Sequence, residues 1–160
     1  MLTIIIECAG IAICFLASRK KFNALFDFSL CSLLYAFAFS LLYTAFIFII
    51  VETALGRETL SEFIFGISLE SFILVLIYPL VIAVSEEYVF RYFLDSKIGI
   101  TAGTMIFTLA HWRPIFPTPM FLLVFIFGIT QAYLYKKSGG LTAPILAHLA
   151  ATYALLWLFV

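Results

Sequence analysis

Long apolar segments separated by short polar breaks constrain this chain more than any other feature. A helix needs about 20 apolar residues to cross the hydrocarbon core of a bilayer. Hydrophobic residues make up 65% of the 160 residues and charged residues only 11%, against about 25% in a soluble domain. The sequence therefore predicts an all-α, polytopic membrane helix bundle of about six spans. These spans cover about residues 1–17, 28–51, 69–95, 98–112, 119–135 and 141–160.

We expect one compact helical unit with two parts. Residues 1–68 are predicted to supply N-terminal membrane spans and an outer loop, and residues 69–160 a helical core. The first apolar run lacks a basic start, so we interpret it as a span and not as a signal peptide. Of the basic loop residues, six lie in loops predicted to be cytoplasmic and two in the opposite loops. This bias favours a multi-pass protein with both termini outside, and we expect it in a prokaryotic plasma membrane.

A small set of ionisable and polar side chains lies inside these apolar segments. A charged side chain at bilayer depth costs about 2.5–3.5 kcal/mol on insertion scales, so it is kept where it is paired or used. The set includes both histidines and an adjacent carboxylate pair, which indicates buried chemistry. Its members are Glu86, Glu87, Arg91, His111, His148 and Thr152.

Spacing along the helices predicts that three of these residues meet. Glu86 lies eleven residues before Lys97, the expected cytoplasmic tip of a hairpin, and His111 lies fourteen after it. At about 1.5 Å per residue, both lie about 16–21 Å from the tip on neighbouring helices. His148 lies eight residues beyond Gly140, or about 12 Å from the same side. The three side chains are therefore expected at overlapping depth.

The chemistry of this set favours hydrolysis. Glu87 and Arg91 are four residues apart and can pair on one helix face, whereas Glu86 points about 100° away. A carboxylate in a low-dielectric site suits a base that takes a proton from water near neutral pH. A neighbouring imidazole can share that water or protonate a leaving amine. A second imidazole and a hydroxyl can donate hydrogen bonds to a developing oxyanion, which together describes a peptide hydrolase without a serine or cysteine nucleophile.

Three motifs in the chain resemble those of the CPBP family, also called the ABI or CAAX-protease and bacteriocin-processing family of intramembrane glutamic proteases. The family pattern reads EExxxR, FxxxH and HxxxN on successive membrane helices. The corresponding segments are Glu86–Arg91, Phe107–His111 and His148–Thr152. The resemblance covers about residues 69–160 and implies an intramembrane endopeptidase.

The resemblance also implies roles for single residues. Glu86 and His111 would activate the water, while His148 and the position of Thr152 would stabilise the oxyanion. The family mechanism implies no cofactor and no metal. The expected partners are membrane lipid and a membrane-associated peptide or protein substrate, with no nucleic acid, in keeping with a formal net charge of zero. The length is close to that of compact relatives that trim leader peptides or C-terminal sorting tails.

Glu87 and Arg91 are expected to organise the site as a supporting pair. The chain departs from the family pattern at two positions. Thr152 replaces the usual asparagine, which gives one shorter hydroxyl donor in place of an amide. Tyr92 follows the arginine where glycine is common, so different local packing is expected.

Other interpretations of the polar set stay open. The residues can form a buried hydrogen-bond network that fixes helix packing. The chain can be a non-catalytic immunity or scaffold protein of the same family. Glu and His can also bind zinc, although no HExxH motif is present. A proton-coupled transporter is less well supported because no internal repeat is visible.

Overall fold

The computed structural model describes residues 26, 28–50, 53, 72–112 and 118–159, and the regular elements within these ranges are all helical. The predicted all-α class is confirmed for this part of the chain. The elements are α1 (Leu30–Ile50), α2 (Phe72–Glu86), a π-helix (Glu87–Leu94), α3 (Asp95–Ile98), α4 (Ile100–Ala110), α5 (Thr118–Ser138) and α6 (Thr142–Phe159).

Of the described helices, α1 and α5 are long and apolar enough to cross a membrane. Helix α1 also exposes large apolar side chains, among them Phe37, Leu41 and Leu42. An exposed apolar surface of this kind marks contact with lipid or with another protein. The first predicted span, residues 1–17, lies outside the described residues, so the count of six spans stays a prediction.

One continuous helix of changing geometry carries the EExxxR motif. Helix α2 contains Pro79 and runs directly into the π-helix, which continues into α3. At the end of the π-helix, the Asp95 N–H donates to the carbonyl of Phe90, five residues earlier. Such widened turns are rare and are frequent at functional sites. Glu87 and Arg91 lie within it, and both are completely buried.

The hairpin tip expected at Lys97, between the predicted spans 69–95 and 98–112, is wrong: a turn predicted over Asp95-Ser96-Lys97 is not present. These residues belong to α3, and the break between helices falls at Gly99, where φ is 87°. A residue with a Cβ pays about 1–2 kcal/mol in the left-handed region, whereas glycine enters it freely, so Gly99 ends the helix. The break predicted between spans 119–135 and 141–160 is present as residues 139–141. Gly139 has φ 76°, and Pro144 lies in the first turn of α6, where proline is tolerated.

Helix α1 packs along α6, and α5 contacts α1, α4 and α6. Small residues allow the close approach of α1 to α6, because Ala36 packs against Ala143 and Ala147 in one buried cluster. The Ser40 hydroxyl lies 3.4 Å from the Ala147 carbonyl and bonds its own helix at Ala36. This packing brings one face of α1 into the centre of the described bundle.

Aromatic rings fill that centre. The ring of Phe127 on α5 lies 4.9 Å from the ring of Tyr43 on α1 and 6.2 Å from the ring of Phe107 on α4. A Cβ added at Gly128 would lie 2.9 Å from Phe107, so glycine at this position allows α5 to approach α4. The aromatic core is therefore built from three helices and lies directly against the predicted site.

Candidate active site

Glu86 ends α2, and its carboxylate lies between two imidazoles. Its Oε1 is 3.4 Å from His111 Nε2, and its Oε2 is 3.9 Å from His148 Nε2. Among the described residues, Oε2 is buried and has no hydrogen-bond partner. The structure thus brings together the three residues expected at overlapping depth, from α2, α4 and α6.

Glu87 begins the π-helix and contacts two partners. Its Oε2 accepts a bond of 3.2 Å from Arg91 Nε, and its Oε1 lies 2.9 Å from His148 Nδ1. Arg91 Nη1 in turn lies 3.3 Å from Asp95 Oδ2. A chain of contacts therefore runs from Asp95 through Arg91 and Glu87 to His148.

Sequence reasoning found only part of this chain of contacts. The pairing of Glu87 with Arg91 was expected from their spacing and is present. The contact of Glu87 with His148 and the participation of Asp95 were missed. Asp95 is four residues beyond Arg91, so the same spacing rule identifies it as a second partner.

His111 follows α4 and is held by its own helix. Its Nδ1 lies 2.8 Å from the Phe107 carbonyl, and a carbonyl only accepts, so Nδ1 carries the proton. In the neutral ring Nε2 is then an acceptor, and it faces another acceptor on Glu86. This contact is favourable only when a proton lies on one of the two groups. His111 and Glu86 therefore form a pair that shares a proton.

His148 is oriented by its hydrogen bond to Glu87. The Glu87 carboxylate is paired with Arg91, and a carboxylate accepts, so His148 Nδ1 is the donor in the bond between His148 and Glu87. The other ring nitrogen, Nε2, is consequently bare in the neutral ring and carries a proton only in the imidazolium form. Phe127 packs edge-on against this ring at 4.9 Å, which further fixes its plane.

The Phe107 ring contacts both Arg91 and His111. The Arg91 guanidinium lies 4.9 Å from the Phe107 ring centre, a distance that allows a cation–π contact. The same ring lies 4.3 Å from the His111 ring. One completely buried phenylalanine therefore touches the arginine that holds Glu87 and the histidine that faces Glu86.

A cavity of about 110 Å³ adjoins these groups. Its polar lining comes from His111, His148 and Thr152, so the threonine of the third motif shares a cavity wall with both histidines. The rest of the lining is apolar apart from the hydroxyl of one tyrosine. The remaining lining residues are Tyr43, Ile47, Phe107, Met120, Leu123, Val124, Phe127, Ala151 and Leu155.

Tyr92, the second departure from the family pattern, lies away from this cavity. It is buried, its ring lies 5.2 Å from that of Tyr88, and both pack with Leu141 and Ile145 of the last helix and its entry. The bulky side chain fills space between the π-helix and α6, and it does not line the cavity. At this position the chain has an aromatic contact, and the difference in packing from the family stays a prediction.

Comparison with known proteins gives the class of the protein, which is that of one family of membrane-associated sequences. Residues 68–154, more than half of the chain, match the type II CAAX prenyl endopeptidase Rce1-like family. The chain belongs to this family, and the resemblance drawn from the three motifs is confirmed at that level.

One individual protein that is similar to this chain is itself uncharacterized. The uncharacterized protein YpbD of Bacillus subtilis (strain 168) is 32% identical over 69 residues, which are 43% of this chain and 36% of that protein. The chain thus matches about a third of the length of this relative. No solved structure matches the chain.

Within the described ranges, no group of three or more His, Cys, Asp or Glu side chains is arranged to hold a metal ion. The metal-free mechanism implied by the family resemblance stays a prediction.

Proposed function

We propose that the protein is an intramembrane endopeptidase of the glutamic type that hydrolyses a peptide bond in a membrane-associated substrate. One observation carries the proposal. The Glu86 carboxylate lies within 3.9 Å of Nε2 of both histidines, and those histidines line an apolar cavity. A base, two imidazoles and a space for substrate therefore meet in one place.

In the proposed first step, Glu86 takes a proton from a water molecule, and the water oxygen bonds to the carbonyl carbon of the substrate. The carbonyl electron pair moves to its oxygen, which becomes an oxyanion. The carbon–nitrogen bond then breaks, and the amine leaves with a proton supplied by the pair of Glu86 and His111. Water thus supplies the hydroxyl group to the acyl product and the proton to the amine.

The oxyanion is stabilised in this proposal by Thr152 and His148. The Thr152 hydroxyl donates one hydrogen bond. His148 donates a second through Nε2, and it does so as an imidazolium, because Nδ1 is already committed to Glu87. Removing one donor of this kind typically costs about 10²–10³ in kcat.

The substrate in this proposal is a leader peptide or a C-terminal sorting tail attached to a membrane-associated chain. The apolar cavity supports a substrate segment with apolar side chains, and the apolar exposed face of α1 supports access from the lipid phase. A prenylated C-terminal peptide is the alternative that the family description suggests, and the experiment includes it.

The test uses the full chain in liposomes with three fluorogenic reporters, one carrying a leader, one a sorting tail and one a prenylated tail. Wild type is compared with Glu86→Gln and with Lys136→Gln, a control at an exposed position near the end of α5. Loss of general-base action is expected to lower the cleavage rate by about 10²–10⁴, with binding and folding retained. The control is expected to cleave at the wild-type rate.

Three outcomes separate the alternatives. Cleavage at the wild-type rate in Glu86→Gln would show that Glu86 is not the base. Reporter binding without cleavage by wild type would favour the non-catalytic immunity or scaffold protein. Reversible loss of activity with a chelator would favour a metal-dependent reaction.

A further inference from the structure

A second group of buried polar atoms, the inner polar cluster, lies next to the active site, and no step of the proposed mechanism uses it. Among the described residues these atoms have no hydrogen-bond partner, and their side chains are at most 5% exposed. Lipid tails offer no hydrogen bonds, so polar groups inside a membrane bundle are paired with protein groups or with ordered water. The atoms of the cluster are Arg91 Nη2, Asp95 Oδ1, Thr104 Oγ1, and Nε2 and Oε1 of Gln131.

Three members of the cluster meet beside the first half of α4. A Cβ on Gly103 would overlap Asp95 Oδ1, so this oxygen lies against α4 next to Thr104. Arg91 reaches the same place, because its Nη1 is 3.3 Å from Asp95 Oδ2 and its guanidinium carbon is 4.9 Å from the Phe107 ring centre. Phe107 and Thr104 are three residues apart and share one face of α4.

Gln131 faces this place from α5. A Cβ on Gly128 would lie 3.0 Å from Thr104 Cγ2. Met120, near the start of α5, lines the same cavity as His111 at the end of α4, so the two helices run in opposite directions. Gln131 is three residues beyond Gly128 on the same face of α5, which brings it one turn closer to the start of α4.

A second set of contacts gives the same position for Gln131. Phe127 is four residues before Gln131, and its ring packs against the ring of His148. His148 bonds Glu87, and Arg91 is four residues beyond Glu87 in the π-helix. The π-helix and α5 both run toward the end of the bundle where α4 begins. One turn on from these contacts, Gln131 and Arg91 therefore lie at the same depth.

The chemistry of these atoms matches water. Arg91 Nη2 and Gln131 Nε2 only donate hydrogen bonds, whereas Asp95 Oδ1 and Gln131 Oε1 only accept them, and the Thr104 hydroxyl does both. Donors and acceptors thus lie together without a direct bond between them, which is the arrangement that a bridging water completes. An anion would meet the Asp95 carboxylate and a cation would meet the Arg91 charge. Water is neutral, and a buried water molecule needs about two to four polar partners, which this cluster offers.

We propose that the inner polar cluster is an internal water site and that Gln131 is a positioning residue, which holds the Arg91 guanidinium through this water. The other two guanidinium nitrogens are already held, Nε by Glu87 and Nη1 by Asp95. A guanidinium held at all three nitrogens fixes the Glu87 carboxylate, and that carboxylate orients His148. The water site is independent of the proposed peptidase function, whereas the positioning role rests on it.

The chain contains a single glutamine, and this allows a direct test of the water site. Cell-free synthesis with [15N]glutamine labels the backbone and side-chain nitrogens of Gln131 alone. Magic-angle-spinning NMR of the full chain in liposomes then measures the transfer of magnetisation from water protons to each nitrogen. The side-chain amide is expected to receive it several-fold sooner than the backbone amide, which lies within α5. Side-chain transfer no faster than backbone transfer would overturn the water site.

Two variants separate polarity from volume at position 131. Gln131→Met keeps the length of the side chain and removes its hydrogen bonds. Its kcat is expected to fall about 10–100-fold with little change in KM, because a displacement of about 1 Å at a catalytic group can cost about 10²-fold. Gln131→Asn is shorter but keeps the amide and leaves room for a further water molecule, so its kcat is expected within about 3-fold of wild type. Leu122→Met, at an exposed position of the same helix, is the matched control.

The order of the two variants decides the role of Gln131. Wild-type kcat in Gln131→Met would overturn the positioning role, and so would a greater loss in Gln131→Asn, since that order follows side-chain volume. The NMR measurement uses wild type, so the water site is tested even where a variant does not fold. Absence of Glu86-dependent cleavage in wild type would overturn the peptidase function and with it the positioning role, while the NMR result on the water site would stand.

Discussion

His148 Nδ1 lies 2.9 Å from Glu87 Oε1, so a histidine of α6 is oriented by a carboxylate of the π-helix. The other oxygen of that carboxylate accepts from Arg91 Nε at 3.2 Å. Glu87 and Arg91 are both completely buried. Because neither charge has access to water, the ion pair and the orientation of His148 depend on each other.

Glu87→Gln is expected to abolish most of the activity. A glutamine amide can donate to His148 Nδ1, which selects the other tautomer, and it leaves Asp95 as the one carboxylate that contacts the buried Arg91 charge among the described residues. A comparable loss of the orienting carboxylate in serine proteases lowers kcat by about 10⁴. We expect a loss of about 10²–10⁴ here, measured as kcat on the reporter that wild type cleaves.

The free energy of unfolding distinguishes the ion pair of Glu87 and Arg91 from the role of Glu87 in catalysis. Removing one partner of a buried pair costs about 3–5 kcal/mol, whereas removing both can be nearly neutral. Arg91→Met alone is therefore expected to lower the free energy of unfolding by that amount, and the double variant Glu87→Gln with Arg91→Met by clearly less, although it stays inactive. Additive losses in the double variant would contradict the coupling of Glu87 with Arg91.

Asp95 and Gly103 offer a second test of the same chain of contacts. A methyl group on Gly103 would overlap the Asp95 carboxylate, which contacts Arg91. Glycine to alanine within a helix usually gains up to about 1 kcal/mol, so the expected loss of about 1–3 kcal/mol in Gly103→Ala has the opposite sign. Asp95→Asn removes the carboxylate charge that contacts Arg91, so it should cause a similar loss of stability.

Denaturant unfolding in detergent measures both variants and their combination. Since Gly103→Ala acts by displacing Asp95, the double variant should lose little more than either single one. Met105→Ala, at an exposed position of the same helix, is the control and should change stability by less than about 0.5 kcal/mol. A gain in stability for Gly103→Ala would show that the carboxylate moves without consequence.

Gly128→Ala is expected to disturb the site through the packing of α5 against α4. The added Cβ would lie 2.9 Å from Phe107 Cδ1 and 3.0 Å from Thr104 Cγ2, both on α4. Overpacking of this kind costs about 1–3 kcal/mol. Because the Phe107 ring also contacts Arg91 and His111, activity should fall together with stability.

The combination with a smaller residue at position 107 checks this explanation. Phe107→Leu removes the clash, so the pair Gly128→Ala with Phe107→Leu should be more stable than the sum of the single effects predicts. Thermal unfolding of the four proteins measures the coupling. Purely additive losses would mean that α5 moves as a whole and that Phe107 is not the group displaced.

The meeting of Glu86, His111 and His148 was predictable from the sequence because a fixed rise per residue converts residue counts into depth. The bond between His148 and Glu87 was not, since counts give depth and not the direction of each side chain. The π-helix was also missed, because widening of a helix depends on tertiary contacts that residue spacing does not carry.

The part of the cavity lining that α1 supplies was missed for a different reason. Tyr43 and Ile47 are apolar or aromatic residues within a uniformly apolar segment, so nothing in their pattern separates a cavity wall from a lipid-facing surface. Only the packing of α1 against α6 makes that distinction. The polar residues of the site were visible because they are costly in a membrane, and the apolar ones were not.

Thr152 tests the proposed oxyanion stabilisation most directly. It lines the cavity with His111 and His148, and the family resemblance places an asparagine at this position. Thr152→Val removes the hydroxyl and keeps the branched shape, so kcat should fall about 10²–10³ with little change in KM. Thr152→Asn supplies an amide donor and is expected to keep at least the wild-type kcat.

The measurement is the full dependence of rate on reporter concentration, which separates kcat from KM. Thr152→Ser serves as the control, because it keeps the hydroxyl and loses only the methyl group, and it should retain most of the activity. A Thr152→Val protein with wild-type kcat would show that the hydroxyl donates nothing in the transition state. In that case His148 would remain the only side-chain donor in the proposed mechanism, and a His148→Phe variant should then lose all measurable cleavage.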